Sequence, residues 1–518
     1  MTPPLSRSLT ARFGAPARFC AFLIGAVCLG AQPSWFNVRD FGARGDGQSN
    51  DAPAIRKAIE AAAGAGGGVV YLPPGNYLSG TLVLRSHVTL HLAPGATLWG
   101  SRSMDDYGPP HLIYARDAEN IVIEGGGVIN GNGEAFWEPD FKPRPHRPSP
   151  LLRFERCRRV RIRDIAIRNA PGWTIHPLEC DGVWIQGVSI VNHLRGPNTD
   201  GIDPDSSRNV FISDCFIEAG DDCIVLKTTG QLSRPAPPCE NVIVTRCTLV
   251  SDDAALKLGT ESLGDFRHIL FSDCVIRGTR VGLAIYAKDG GAFEAVRFSR
   301  ISIDTHPTHR ESLQWPVYID LEKRYEDSPA SRVRDIQFSD LTIYTRGRIL
   351  VGGMPDHPLE DLVFRHVRMR ITGFERVETA SKPRGSSRVR PVGRELDYAS
   401  VPAALIFANL RSLKLHDVEV FWEAPGDAPE RHALYAARVE DLEIASFAGR
   451  QAAAEGKLAV IGFDEVRRAV IRDSRAQPGS VVFLGLRKTD PNDIRLVNNE
   501  LTFVRDAVLE GPVHVHLP

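Results

Sequence analysis

The chain has 518 residues, with 62 lysines and arginines against 63 aspartates and glutamates, and a formal net charge of −1. So even a balance, without a long run of like charge, argues against bulk electrostatic binding of nucleic acid and names no charged partner. The 46 glycines and 36 prolines suit many short strands joined by tight turns.

At the N-terminus Arg7, Arg12 and Arg18 precede the apolar stretch FCAFLIGAVCLG, followed by AQP. A positive flank, a short apolar core and small residues at its end predict a secretory signal over residues 1–31, cut near Ala31. The apolar run is too short to span a bilayer, and Val27 is a poor fit for lipid modification at Cys28. The expectation is an exported protein, secreted or periplasmic, with no membrane span.

Next, Asn50-Asp51 offers a cap to APAIRKAIEAAAGAG, whose spacing is helical until its glycines end it. Thereafter one phrase recurs: NIVIEGGGVI, RVRIRDIAIRN, GVWIQGVSIVN, NVFISDCFIEAG, NVIVTRCTLVS, HILFSDCVIRG, AVRFSRISID. Each is a short alternating strand, one or two polar turn residues and a second short strand. Val160, Val183, Val210, Val242, Ile269 and Val296 lead these phrases at separations of 23, 27, 32, 27 and 27 residues. A period in the twenties, with extra residues confined to loops and no helix between strands, predicts an all-β parallel β-helix, a β-solenoid. The short N-terminal helix is expected to cap its open end. Residues 32–518 are read as a single such domain, with less regular coils after about residue 375 and a long polar loop over Ser381–Ser400.

Removal of the signal takes Cys20 and Cys28 and leaves seven cysteines, an odd number. Cys180, Cys215, Cys247 and Cys274 occupy similar places in the repeat and are expected as stacked buried thiols. Cys223 and Cys239 flank the proline-rich stretch TTGQLSRPAPP and are the expected disulfide. No CxxC pair or histidine-rich cluster points to a metal, and no cofactor is expected.

Chemistry concentrates in PNTDGIDPDSSRNVFISDCFIEAGDDC, from Pro197 to Cys223. Asp200 and Asp221 are 21 residues apart, close to one coil, and equivalent positions on adjacent coils lie about 4.8 Å apart. Asp200 should therefore stack near Asp221 and Asp222. Consecutive strand residues point to opposite faces, so the Asp-Asp pair must occupy a turn or bulge, for which Gly220 is suited. Three carboxyls this close raise one another's proton affinity, so one is expected to stay protonated near neutral pH. A lone Asp-Gly is more often a turn than a catalyst, but a turn needs only one such residue. One protonated acid beside ionised partners is the division of labour that glycosidic cleavage requires.

The segment WTIHPLECDGVWIQGVSIVNHLRGPNTDGIDPDSSRNVFISDCFIEAGDDCIVLKT, together with FNVRDFGARGDG and INGNGEAFW, resembles glycoside hydrolase family 28, the polygalacturonase-like inverting hydrolases. The likeness runs from about Phe36 to Leu321. It implies a right-handed parallel β-helix, with Asp221 as general acid and with Asp200 and Asp222 activating water. Asn198 and Lys227 would meet the sugar in the same cleft. The family often has a disulfide where Cys223 and Cys239 lie.

Two family motifs are missing. Where a Gly-His-Gly is expected the chain reads SDDAALKLGTES, with Ala254 at the histidine. Where an Arg-Ile-Lys would grip a uronate carboxylate it reads VGLAIYAKDGG, with Ala284 and Tyr286 replacing the two basic residues. Alanine cannot replace the paired hydrogen bonds of an arginine. Lys257 or Lys288 could supply a charge from a shifted position, and Tyr286 could stack on a sugar or fill a coil corner. His176, His193, Glu261 and Arg324 are weaker candidates for the cleft, and Asp252 and Asp253 read as solvent-exposed turn acids.

The leading expectation is an exported inverting glycosidase acting on pectic or related plant polysaccharides or oligosaccharides, at a residue other than galacturonate, for example rhamnose. The alternatives are a polysaccharide lyase, which would need a basic residue to abstract a proton, and a non-catalytic carbohydrate-binding β-helix. Oligomeric state is left open by the sequence.

Overall fold

A computed structural model describes residues 34–308, 314–374, 401–423, 429–453 and 457–510. The expected signal over residues 1–31 and the loop over Ser381–Ser400 lie outside the described residues, as do residues 309–313 of the segment before Trp315.

The chain winds into a parallel β-helix with three ladders of strands. In the first, Val160 pairs with Val183, Val183 with Val210, Val210 with Val242, Val242 with Ile269 and Ile269 with Val296, the register that the spacing of these residues predicts. A second ladder stacks Ile129, Ile167, Ile190, Ile217 and Leu249. Between these two ladders the chain turns through a single residue with left-handed backbone, as at Asp164, Gly187, Asp214, Arg246 and Asp273. Asp and Gly take this conformation at low cost, which accounts for the polar punctuation of the repeat. The third ladder runs through Leu82, Ile113, Leu152 and Ile175, then Ile202, Ile224, Leu256, Leu283 and Val317.

All three ladders turn one row of apolar side chains into the coil, forming one continuous core. Phe271, Phe298, Phe338 and Phe364 stack face to face through it, with ring centroids 5.0, 4.9 and 4.5 Å apart. Beyond residue 400, Ala403–Trp422 re-enters the stack, with Leu413 against Leu362 and Leu442 against Leu413.

The helix, Ala52–Gly64, lays Ala52, Ile55, Ala58, Ile59 and Ala62 on the first strands of the stack. Its start differs in detail from expectation. Asn50 Oδ1 accepts from the Ala52 N–H, while the buried Asp51 carboxylate turns away to accept from Arg44 N and Gly45 N at 2.7 and 3.1 Å. No helix among the described residues is long and apolar enough to cross a membrane.

The cysteines require two corrections. All seven described cysteines are buried free thiols. Cys223 directs its sulfur at the Ile217 and Val250 carbonyls, and Cys239 at Pro204 O. The strand Ile224–Thr228 separates them. At about 3.3 Å per residue it holds their Cα atoms well beyond disulfide reach. Cys215, Cys247 and Cys274 do stack as expected, each five residues after a leading position of the first ladder. Cys180 sits three residues before one instead and stacks with Cys157.

Candidate active site

The outward face of the third ladder gathers the candidate residues. Backbone hydrogen bonds seat the Asn198–Ile202 segment between two coils: Thr174 N donates to Asp200 O, and Gly201 N to Asp222 O, both at 2.9 Å. Asp200 therefore lies over Asp222, one coil on. The bend at Gly220 presents Asp221 and Asp222 to the same cleft. A Cβ at Gly220 would lie 2.5 Å from Gly196 O and 2.6 Å from His193 O, so only glycine lets the two coils approach. Its N–H donates to Thr199 Oγ1, at 3.0 Å, locking the bend to the Asn-Thr-Asp segment.

Carboxylate oxygens of Asp200, Asp221 and Asp222 lie within 4.8 Å of one another. Burial pushes all three carboxyls above the usual range, and for Asp221 the charges of Asp200 and Asp222 add to it. Their surroundings then separate them. Lys257 Nζ is 2.6 Å from Asp222 Oδ2 and opposes the effect of burial. Lys227 Nζ is 3.9 Å from Asp200 Oδ2. Asp221, the one of the three that reaches solvent, has no cation within ion-pair distance among the described residues; its Oδ2 accepts from Asn198 Nδ2 at 3.3 Å. With burial acting on all three, the carboxyl that lacks a nearby cation to favour its ionised form is the one that keeps its proton.

The other basic residues of the face are committed to acids. Lys227, almost wholly buried, lies 3.4 Å from Glu261 Oε2 and 3.8 Å from Asp203 Oδ1, with the Trp173 ring centroid 4.5 Å from its ammonium. Burial pushes Glu261 up, but Lys227, Lys257 and Arg324 outweigh it and hold the group at about 2. Lys288 pairs with Glu322, Arg280 with Asp253, and Arg324 grips Asp289 through Nε and Nη2. Asp252 is buried and Asp253 ion-paired, so neither is the solvent-exposed turn acid expected.

Ala284 pairs directly with Lys257 in the ladder, and its short side chain lies beneath that ammonium's strand. The Tyr286 ring has Lys257 Nζ at 5.1 Å, Lys288 Nζ at 5.8 Å and the Tyr318 ring at 5.0 Å. Two ammonium groups thus flank the ring, which is half-buried.

Two of the weaker candidates have structural partners. His176, fully buried, faces Asp205 through Nε2 at 3.2 Å and Arg153 through Nδ1 at 3.5 Å. His193 packs on Phe141, with centroids 4.7 Å apart, and accepts from Arg195 N. Sequence reasoning missed Asp203, which is wholly buried with neither carboxyl oxygen in a hydrogen bond among the described residues. Burial pushes it up to about 8 against the pull of Lys227. The alternation Ile202-Asp203-Pro204-Asp205 carried a signal for it, since it puts Asp203 on the face of Lys257. Arg147 and Trp173 carried none, because a loop and a neighbouring coil bring them in.

The model of the family described as Glycosyl hydrolases family 28 matches residues 69–368. A Vitis vinifera protein named "Probable polygalacturonase" is 30% identical over 272 residues, 48% of this chain and 55% of its own length. "Polygalacturonase-2" of Solanum lycopersicum is 25% identical over 356 residues, 64% of this chain and 74% of its own. The match thus spans little more than half of the first relative. Among solved structures, a hyperthermoactive exopolygalacturonase from Thermotoga maritima shares the fold, with a TM-score of 0.57 and 24% identity over 66% of this chain and 89% of that one. With more than half of its residues inside the family's pattern, this chain belongs to glycosyl hydrolase family 28.

Proposed function

We propose that the protein is an exported, inverting glycosidase that hydrolyses pectic or related plant polysaccharides at a residue other than galacturonate. The observation that carries this reading is the unequal environment of the three carboxyls. Asp222 is held by Lys257 at 2.6 Å, whereas Asp221 faces the cleft with no cation within ion-pair distance among the described residues. Asp221 then donates its proton to the glycosidic oxygen as the bond to the anomeric carbon breaks. Asp200 and Asp222 orient a water on the far side of the sugar and accept its proton as its oxygen bonds that carbon.

Inversion is supported by family membership, not by spacing. The oxygens lie within 4.8 Å, closer than the roughly 6.5–9.5 Å usual for an inverting pair. Proton NMR of the first-formed anomer tests it; retention of configuration would overturn it.

The preference against galacturonate rests on charge. Around the trio, Asp200, Asp203, Asp221, Asp222 and Glu261 share the space with Lys227 and Lys257. Both ammonium groups are already paired, and Ala284 offers no donor. A uronate carboxylate would meet these carboxyls with both of those ammonium groups already engaged, whereas a neutral sugar such as rhamnose adds no charge.

Mass spectrometry of products from a panel of pectic oligosaccharides, with Asp221→Asn alongside, tests the activity. Saturated products from the native protein, lost in the variant, are expected. Unsaturated products would mean a lyase, and binding without products a carbohydrate-binding protein. Galacturonate as the sugar released would overturn the substrate reading. Export is tested by N-terminal sequencing of protein recovered outside the cytoplasm, with Gln32 expected near the new terminus.

A further inference from the structure

The loop between Trp137 and Pro150 lies outside the repeat, yet it reaches the segment that carries Asn198. It is anchored twice. Phe141 packs on His193, with ring centroids 4.7 Å apart, and the Arg195 guanidinium lies 4.2 Å from the same ring. Six residues on, the Arg147 guanidinium spans two coils: Nη1 donates to Pro171 O at 2.9 Å and to Pro197 O at 2.7 Å, and Nη2 donates to Asn198 Oδ1 at 3.1 Å.

A guanidinium can only donate, so the Asn198 atom facing it must be the carbonyl oxygen. That orientation turns the Asn198 amide N–H toward Asp221, where Nδ2 donates to Oδ2 at 3.3 Å. The other oxygen of Asp221, Oδ1, accepts from the Asp222 N–H at 3.1 Å. Asn198 itself has a left-handed backbone, with φ of 52°. Its side-chain direction thus depends on a turn that Arg147 ties down through Pro197 O.

We propose that Arg147 is a positioning residue: it fixes the Asn198 amide and, through it, the carboxyl of Asp221. The proposal rests on the assignment of Asp221 as the acid. The titratable groups facing Asp221 are Asp200, Asp222 and Asp253, which raise its proton affinity, and Lys257, which lowers it. Arg147, bonded to Pro171 O and Pro197 O, acts by its charge on both Asp200 and Asp221. A general acid works best with a proton affinity matched to the working pH. With burial and three carboxyls all pushing upward, a cation beyond the cluster keeps the proton transferable.

The test uses Arg147→Ala, Arg147→Lys and Asn198→Ala in the full chain. Arg147→Ala should lower kcat about 10- to 100-fold with little change in KM, up to the ~100-fold loss that misplacing a reacting group by about 1 Å brings. It should also move the alkaline limb of the kcat–pH profile upward, because the acid then holds its proton to higher pH. Arg147→Lys, which keeps charge but not the fork, should lose rate while leaving that limb near its original position. The Arg147→Ala/Asn198→Ala double variant should be little slower than either single one, since both act through one path. An unmoved alkaline limb with only a lower Tm would reduce Arg147 to a structural tie and overturn the proposal. A readout without turnover separates this from the assigned function: carbon-13 NMR titration of the aspartate carboxyls, with the Asp221 signal identified by Asp221→Asn. An upward displacement in Arg147→Ala supports the proposal even on a panel that yields no products; an unchanged titration overturns it even if the protein is an active hydrolase.

Discussion

Lys257 Nζ lies 2.6 Å from Asp222 Oδ2, and Lys257 is the ladder partner of Ala284. One lysine therefore neutralises a candidate base from the coil above a position that offers no donor of its own. Removing it should have two effects. Breaking a buried pair by deleting one partner costs about 3–5 kcal/mol, so Lys257→Met should unfold at lower urea concentration. Lys257 holds the Asp222 proton affinity down against burial, so its loss moves the acidic limb of kcat/KM to higher pH. A variant with an unshifted acidic limb would show that Asp222 is not a base in the reaction.

Asp203 predicts a pH dependence of stability. Its carboxyl is at about 8 in the folded chain and about 3.9 in an unfolded one. Between those values the folded state binds more protons than the unfolded state, so stability falls as pH rises through the window. The penalty is absent below pH ~4 and complete above ~8, where it amounts to several kcal/mol. Asp203→Asn cannot ionise and should be more stable than the native protein at pH 8, with the advantage gone near pH 4. Thermal unfolding of both proteins at the two pH values checks this; equal slopes would mean that Lys227 keeps Asp203 ionised.

The seven described thiols are free and buried. The folded protein should therefore be inert to a thiol reagent, and guanidinium alone, without reductant, should release at least seven reactive thiols. Reductant should leave Tm unchanged. A lower count, or a Tm that drops with dithiothreitol, would restore the Cys223–Cys239 bridge.

Phe298 stacks between Phe271 and Phe338 and is 1% exposed. Truncating a buried phenylalanine costs about 3–5 kcal/mol, and here the loss breaks a column shared by successive coils. Phe298→Ala should lower the urea midpoint accordingly, and Phe298→Leu by less. A midpoint within error of the native protein would mean that the coils hold without the aromatic column.

The sequence by itself determined the stack and its register. Successive apolar residues such as Val183, Val210 and Val242 must face one core, and a parallel ladder puts equivalent residues in contact, so linear period becomes spatial neighbourhood. That translation brought Asp200 to Asp221 and Asp222. It carried no information on what leaves the ladder. The Cys223–Cys239 pairing failed because flanking a loop does not place two sulfurs on one side of a strand. Arg147 was illegible because an irregular loop, without period, carries it across two coils to Asn198. Only the tertiary structure decided which carboxyl meets a cation: Lys257 Nζ lies 2.6 Å from Asp222 and, among the described residues, forms no ion pair with Asp221. Proton affinity depends on such distances and on burial, and a one-dimensional pattern contains neither.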